Sequence, residues 1–217
     1  MIPIRLSKAL TAGVVDSVAL SQTPGGAGNL TINGSLASGG VATFTTARRV
    51  LFTFAGADAA RTFTLTGTNS NGTIISETVA GANSPSTSVS LRDYLTVTQI
   101  AVNAAMAGAI RVGTNGVGAT DWQIPSREIP PVNMSFGVTV SGTVNYTVQY
   151  TYDSIQAPPG INQTVPLPTA WNVAALLNQA ANADASIQAP IAAWRLLINS
   201  GTGTATIEAI QAGISGN

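Results

Sequence analysis

Apolar and polar positions alternate with a period of two through much of the chain, and most cleanly between residues 49 and 113. In that stretch Phe63, Leu65, Ile75 and Val79 take odd positions, while Thr62, Thr64, Thr66, Ser76 and Thr78 take even ones. Successive side chains of a strand point to opposite faces, so the pattern predicts antiparallel sheet with one apolar face and one covered by hydroxyls. Asn69-Ser70-Asn71-Gly72 separates the two runs, and Asn and Gly tolerate the left-handed backbone of a tight connection, which predicts a hairpin.

The same beat recurs in shorter pieces. Residues 30–32, 41–44, 50–54, 94–102 and 109–112 read as strands separated by Gly-rich turns. At the start of the chain Ile2, Ile4, Leu6 and Leu10 form an apolar arm broken by Pro3, Arg5 and Lys8. That composition predicts an arm or edge strand that docks on the sheet edge of a neighbouring molecule. A cluster of Gly and Pro between residues 113 and 131 marks a domain boundary near 120.

Beyond it, Phe136, Val138 and Val140 alternate, Ser141-Gly142 turns, and Val144, Tyr146, Val148 and Tyr150 alternate again, predicting a second hairpin. Residues 157–168 hold four prolines and read as extended loop. The period then changes: Val173, Leu176, Leu177 and Ala180 fall at helical spacing behind Thr169 as N-cap, predicting a short helix near 170–182. A third hairpin is expected to turn at residues 200–203. The resulting expectation is an all-β protein of two β-sandwich domains, jelly-roll or Ig-like. They span residues 1–120, with the arm, and 121–217, with the helix.

Composition narrows the function. Charged residues make up 8% of the 217, against about a quarter in an average soluble domain, and the formal net charge is zero. Such a neutral, hydroxyl-rich surface gives weak repulsion between molecules and suits a homo-oligomer or assembly component. Arg48-Arg49 is the one adjacent pair of cations, so a basic face for nucleic acid is not expected. The N-terminal stretch lacks the apolar core of a signal peptide, and no apolar run approaches a membrane span. The expected setting is a cytoplasm, with the product soluble or assembled.

The chain has neither His nor Cys. A Ser-His-Asp triad, a thiol nucleophile and a thiolate zinc site are therefore excluded. The nine acidic residues are scattered singly, so neither a calcium loop nor a cleft lined by two carboxylates is expected. The reading assigns no catalytic, cofactor-binding or metal-ligating residue. Trp171 and Trp194 are expected to fill core, with a sugar-stacking platform as the alternative. Arg195 is expected to pair with Asp153 or Glu208. Trp122, in the linker, is expected to pin the domains together, and joins Ile2, Ile4, Leu6 and Leu10 as a candidate interface residue.

Two groups of segments carry a resemblance. The first comprises Q-T-P-G-G-A-G-N-L-T-I-N-G-S-L-A-S-G-G-V-A-T-F, T-F-T-L-T-G-T-N-S-N-G and G-A-I-R-V-G. The second comprises G-T-V-N-Y-T-V-Q-Y-T-Y-D and W-R-L-L-I-N-S-G-T-G-T-A-T-I-E-A-I-Q-A-G. Together, over most of residues 15–212, they resemble structural proteins of tailed bacteriophages. The resemblance implies a non-enzymatic virion component, first of all a capsid decoration (cement) protein bound to the major capsid protein and to copies of itself. A tail, neck or fibre part is the first alternative, and a receptor- or glycan-binding module the second.

Overall fold

The computed structural model describes residues 3–126, 133–155 and 167–212; Ile2 and most of the proline-rich segment fall outside them. In chain order the first strands are β1 (Ile4–Ala9), β2 (Ala19–Gln22), β3 (Gly28–Asn29), β4 (Ala37–Ser38), β5 (Val41–Arg48) and β6 (Val50–Phe54). They are followed by β7 (Thr62–Thr68), β8 (Ile74–Ala80), β9 (Thr87–Val89), β10 (Tyr94–Val102), β11 (Ile110–Thr114) and β12 (Gly118–Ala119). The last six are β13 (Asn133–Ser141), β14 (Val144–Thr151), β15 (Trp171–Asn172), β16 (Ala183–Ile187), β17 (Ala193–Gly201) and β18 (Thr204–Ala212). The protein is all-β, as the alternation predicts.

Two compact units divide the chain: Ala12–Val117, and a composite of Met1–Thr11 with Gly118–Asn217. The boundary lies close to the expected 120. The arm, however, does not belong with the domain that follows it in sequence. β1 pairs antiparallel with β18, from Ile4 opposite Ala209 to Ala9 opposite Thr204. An unpaired edge of β18 would leave a row of N–H and C=O groups open, and β1 satisfies them within the same chain. Leu10, just beyond β1, is buried in the composite unit's core. The expectation of a free docking arm is thus corrected.

In the Ala12–Val117 unit one sheet runs β4-β5-β10-β7-β8, with β3 added on β10, and the other runs β2-β11-β6-β9. The expected central hairpin is present as β7 and β8, with Phe63 opposite Val79 and Thr64 opposite Thr78. Its turn is fastened by the Asn69 side chain, whose Oδ1 accepts the N–H groups of Asn71 and Thr73, and Gly72 takes φ +77°. Phe63, Leu65 and Val79 are buried and Ile75 packs against them, while Thr62, Thr64, Ser76 and Thr78 are exposed. Phe63 meets Phe52 and Phe54 of the opposite sheet at centroid distances of 5.4 and 5.7 Å, so the two sheets close over one core.

The composite unit pairs a β1-β18-β13-β16 sheet with a β12-β17-β14-β15 sheet. Phe136 and Trp194 meet between them at 5.4 Å. The hairpins expected at 133–151 and 193–212 are instead arches: β13 and β18 pair in one sheet, β14 and β17 in the other. Each Gly-containing turn carries the chain across the core. The two turns lie against each other, since a Cβ on Gly201 would come within 2.3 Å of the Thr143 carbonyl oxygen. Gly201 also takes φ +96°, a backbone that a larger residue adopts only with strain.

The helix expected near 170–182 is absent. Trp171 and Asn172 form β15, and a single 3-10 turn covers Ala174–Leu176. Val173 and Leu176 are buried, but Leu177 is exposed, and Asn178 at φ +55° ends the turn. Its backbone then pairs again, Gln179 bridging Tyr146. Strand pairing satisfies the backbone that a second helical turn would have taken.

These faces yield a first prediction. Leu65→Asp buries a carboxylate where the apolar side chain contributed about 1.5–3 kcal/mol, and unfolds the Ala12–Val117 unit. Thr64→Asp, one residue away on the exposed face, leaves the circular dichroism spectrum and the melting midpoint nearly unchanged. Equal sensitivity at both positions would contradict the assignment of faces.

Candidate functional site

The charged side chains divide into those that fasten turns and those that stay on the surface. Arg49, at the crossing from β5 to β6, donates from Nε to Asp93 Oδ1 at 3.1 Å and from Nη1 to the Ser90 carbonyl at 2.9 Å. Both ion-pair side chains are nearly enclosed, 10% and 14% exposed. Glu77 accepts the N–H groups of Leu91 and Arg92 at 2.8 and 3.1 Å. Beside it, burial first and the Glu77 carboxylate second push the Tyr94 phenol far above its usual range. Together they hold the turn between β9 and β10. Asp58, fully buried, accepts the Ala107 N–H at 2.7 Å and ties two loops together.

On the exterior of the composite unit, Asp184 of β16 and Glu208 of β18 both stand opposite Gly137 of β13, and Arg5 of β1 stands opposite Glu208. The glycine has no side chain to fill the row, which leaves an open hollow of about 460 Å³ lined also by Thr139 and Asn182. Two acidic side chains therefore do line one depression, against expectation. Two strand spacings of about 4.8 Å separate their backbones by roughly 10 Å. Arg5 Nε lies 3.6 Å from Glu208 Oε1, with 70% and 55% of those side chains exposed, so this is a solvated ion pair on an open sheet face. Among the described residues no group of three or more acidic side chains is placed to hold a metal ion.

Ile4 and Leu6 are half-buried and Leu10 is buried, all packed on their own unit's core. Trp122 is half-buried with the Arg195 guanidinium 4.4 Å over its ring. Arg195 donates from Nε to Gln149 Oε1 at 2.9 Å. Trp194 fills core as expected. Trp171 does not: it is 52% exposed, opposite Tyr150 at the edge of its sheet. Tyr150 in turn meets Tyr152 edge-to-face at 5.5 Å.

No protein-family model matches the sequence, and neither does any curated protein or solved structure.

The enclosed ion pair gives a second prediction. Asp93→Ala leaves the Arg49 charge buried without its partner and costs about 3–5 kcal/mol in urea unfolding. Replacing both partners by apolar residues, Arg49→Met with Asp93→Leu, recovers much of that loss. A single substitution that costs less than about 1 kcal/mol would show that the pair is solvated in solution.

Proposed function

We propose that the chain is a structural component of a tailed-phage virion, first of all a decoration protein on the outer capsid surface. The observation that carries the reading is the exterior of the β7 and β8 region. Thr62, Thr64, Ser76 and Thr78 are exposed there on one face, while Glu77, between the last two in sequence, alternates to the other face and accepts the Leu91 and Arg92 N–H groups. A flat hydroxyl face can be covered by another protein without stripping water from charges, whose desolvation costs several kcal/mol each. The resemblance of both halves of the sequence to phage structural proteins supports the same reading, as does the neutral composition.

The mechanism is mechanical. Each copy bridges neighbouring capsid subunits, and its contact area must be broken before the shell opens. A standard interface of about 1,600 Å² holds partners tightly without ion pairs. The closest functional alternative on the molecule itself is the Asp184 and Glu208 hollow, which would suit a polysaccharide hydrolase if it worked as an acid pair.

Copy number tests the proposal. Quantitative gel analysis of purified particles should show hundreds of copies per virion, and adding the protein to undecorated heads should raise their melting temperature. A dozen copies or fewer would assign the chain to the tail or neck. Release of reducing ends from host polysaccharide, abolished by Asp184→Asn, would replace the structural reading with an enzymatic one.

A further inference from the structure

We propose that the composite unit binds a neutral carbohydrate at the edge of its β12-β17-β14-β15 sheet, on Trp171, Tyr152 and Tyr150. The fold puts its other large rings inside. All five phenylalanines are buried, as are Trp194, Tyr94 and Tyr146. Trp122 is half-buried beneath Arg195. The two rings left exposed, Tyr152 at 53% and Trp171 at 52%, come together at one place. Trp171 is the cross-strand partner of Tyr150, and the Tyr150 and Tyr152 rings are in contact. Residues nineteen positions apart are thus converged by the β14–β15 pairing.

The chemistry around the rings selects the ligand. Indole and phenol present an apolar face with a polar edge, which matches a pyranose ring with its C–H face and its girdle of hydroxyls. Asp153 adjoins Tyr152 and is held in place by accepting the Thr169 N–H at 2.7 Å. A carboxylate has about four lone-pair positions, so this one retains capacity to accept sugar hydroxyls. Asn172, the next residue of the strand, turns to the opposite face, where its Oδ1 accepts Gln149 Nε2 at 3.1 Å, and stands outside the ring site. Asp153 is the one charge in this set, and it disfavours sialylated or phosphorylated glycans. Three rings cover one or two sugar units, far less than the ~800 Å² that a stable protein interface buries on each partner.

The site does not depend on the virion reading and is tested on the purified chain. The labelled protein is applied to a printed array of neutral oligosaccharides built from glucose, galactose, mannose and N-acetylhexosamines, with sialylated glycans alongside. The best ligand is then titrated by saturation-transfer NMR. The expected result is binding to neutral glycans that falls at least tenfold in Trp171→Ala and in Tyr152→Ala, and is unchanged in Ile74→Ser on the other unit. Tyr152→Ala, which removes an exposed ring, carries the test alone if Trp171→Ala disturbs the sheet edge by circular dichroism. Absence of binding to any neutral glycan, binding confined to sialylated ones, or full binding by the Tyr152→Ala protein would each overturn the proposal.

Discussion

Contact between two facing sheets is the interaction on which each unit depends. Phe63 against Phe52 and Phe54 in one unit, and Phe136 against Trp194 in the other, are ring contacts across the two sheet interfaces. Each ring buries on the order of 150–250 Å² and contributes beyond its area through ring geometry. Because the inward positions supply the stability, the outward positions are released from it. They carry Thr and Ser in place of the charged residues common on soluble domains.

The requirement that every inward strand find a partner also explains the chain's course. β18 needs a neighbour on each side, and β13 provides one. The other comes from the beginning of the chain, although the whole Ala12–Val117 unit lies between them in sequence. Lys8, opposite Ala205 near the end of this pairing, is buried, and Ile4 and Leu6 are half-covered on the same face. The arm therefore closes its own molecule's sheet.

Much of this was legible from residue order. The parity of Phe63, Leu65 and Val79 identified the buried face correctly, and Asn69 and Gly72 identified the turn. The arches were not legible, because Ser-Gly between two alternating runs serves a turn within a sheet and a crossing between sheets equally well. What distinguishes them is which remote strand each run meets. The helix failed for a related reason: Val173 and Leu176 are spaced for a helix, but one buried pair is satisfied by a single 3-10 turn. At the level of sites, strand pairing brought Asp184 and Glu208 to either side of Gly137 and Trp171 beside Tyr150. No local pattern encodes either meeting.

The pairing of β1 with β18 is the feature that most separates this architecture from one with a free arm, and a disulfide tests it directly. Ser7 stands opposite Thr206 with the two hydroxyl oxygens 2.8 Å apart, in a chain that has no cysteine of its own. The Ser7→Cys, Thr206→Cys protein, oxidised at low concentration, should form an internal bridge. It should run as a monomer of altered mobility on a non-reducing gel and melt at a higher temperature than its reduced form. Disulfide-linked dimers or longer ladders, or thiols that stay free, would contradict the account and show the arm engaged with another molecule or with none.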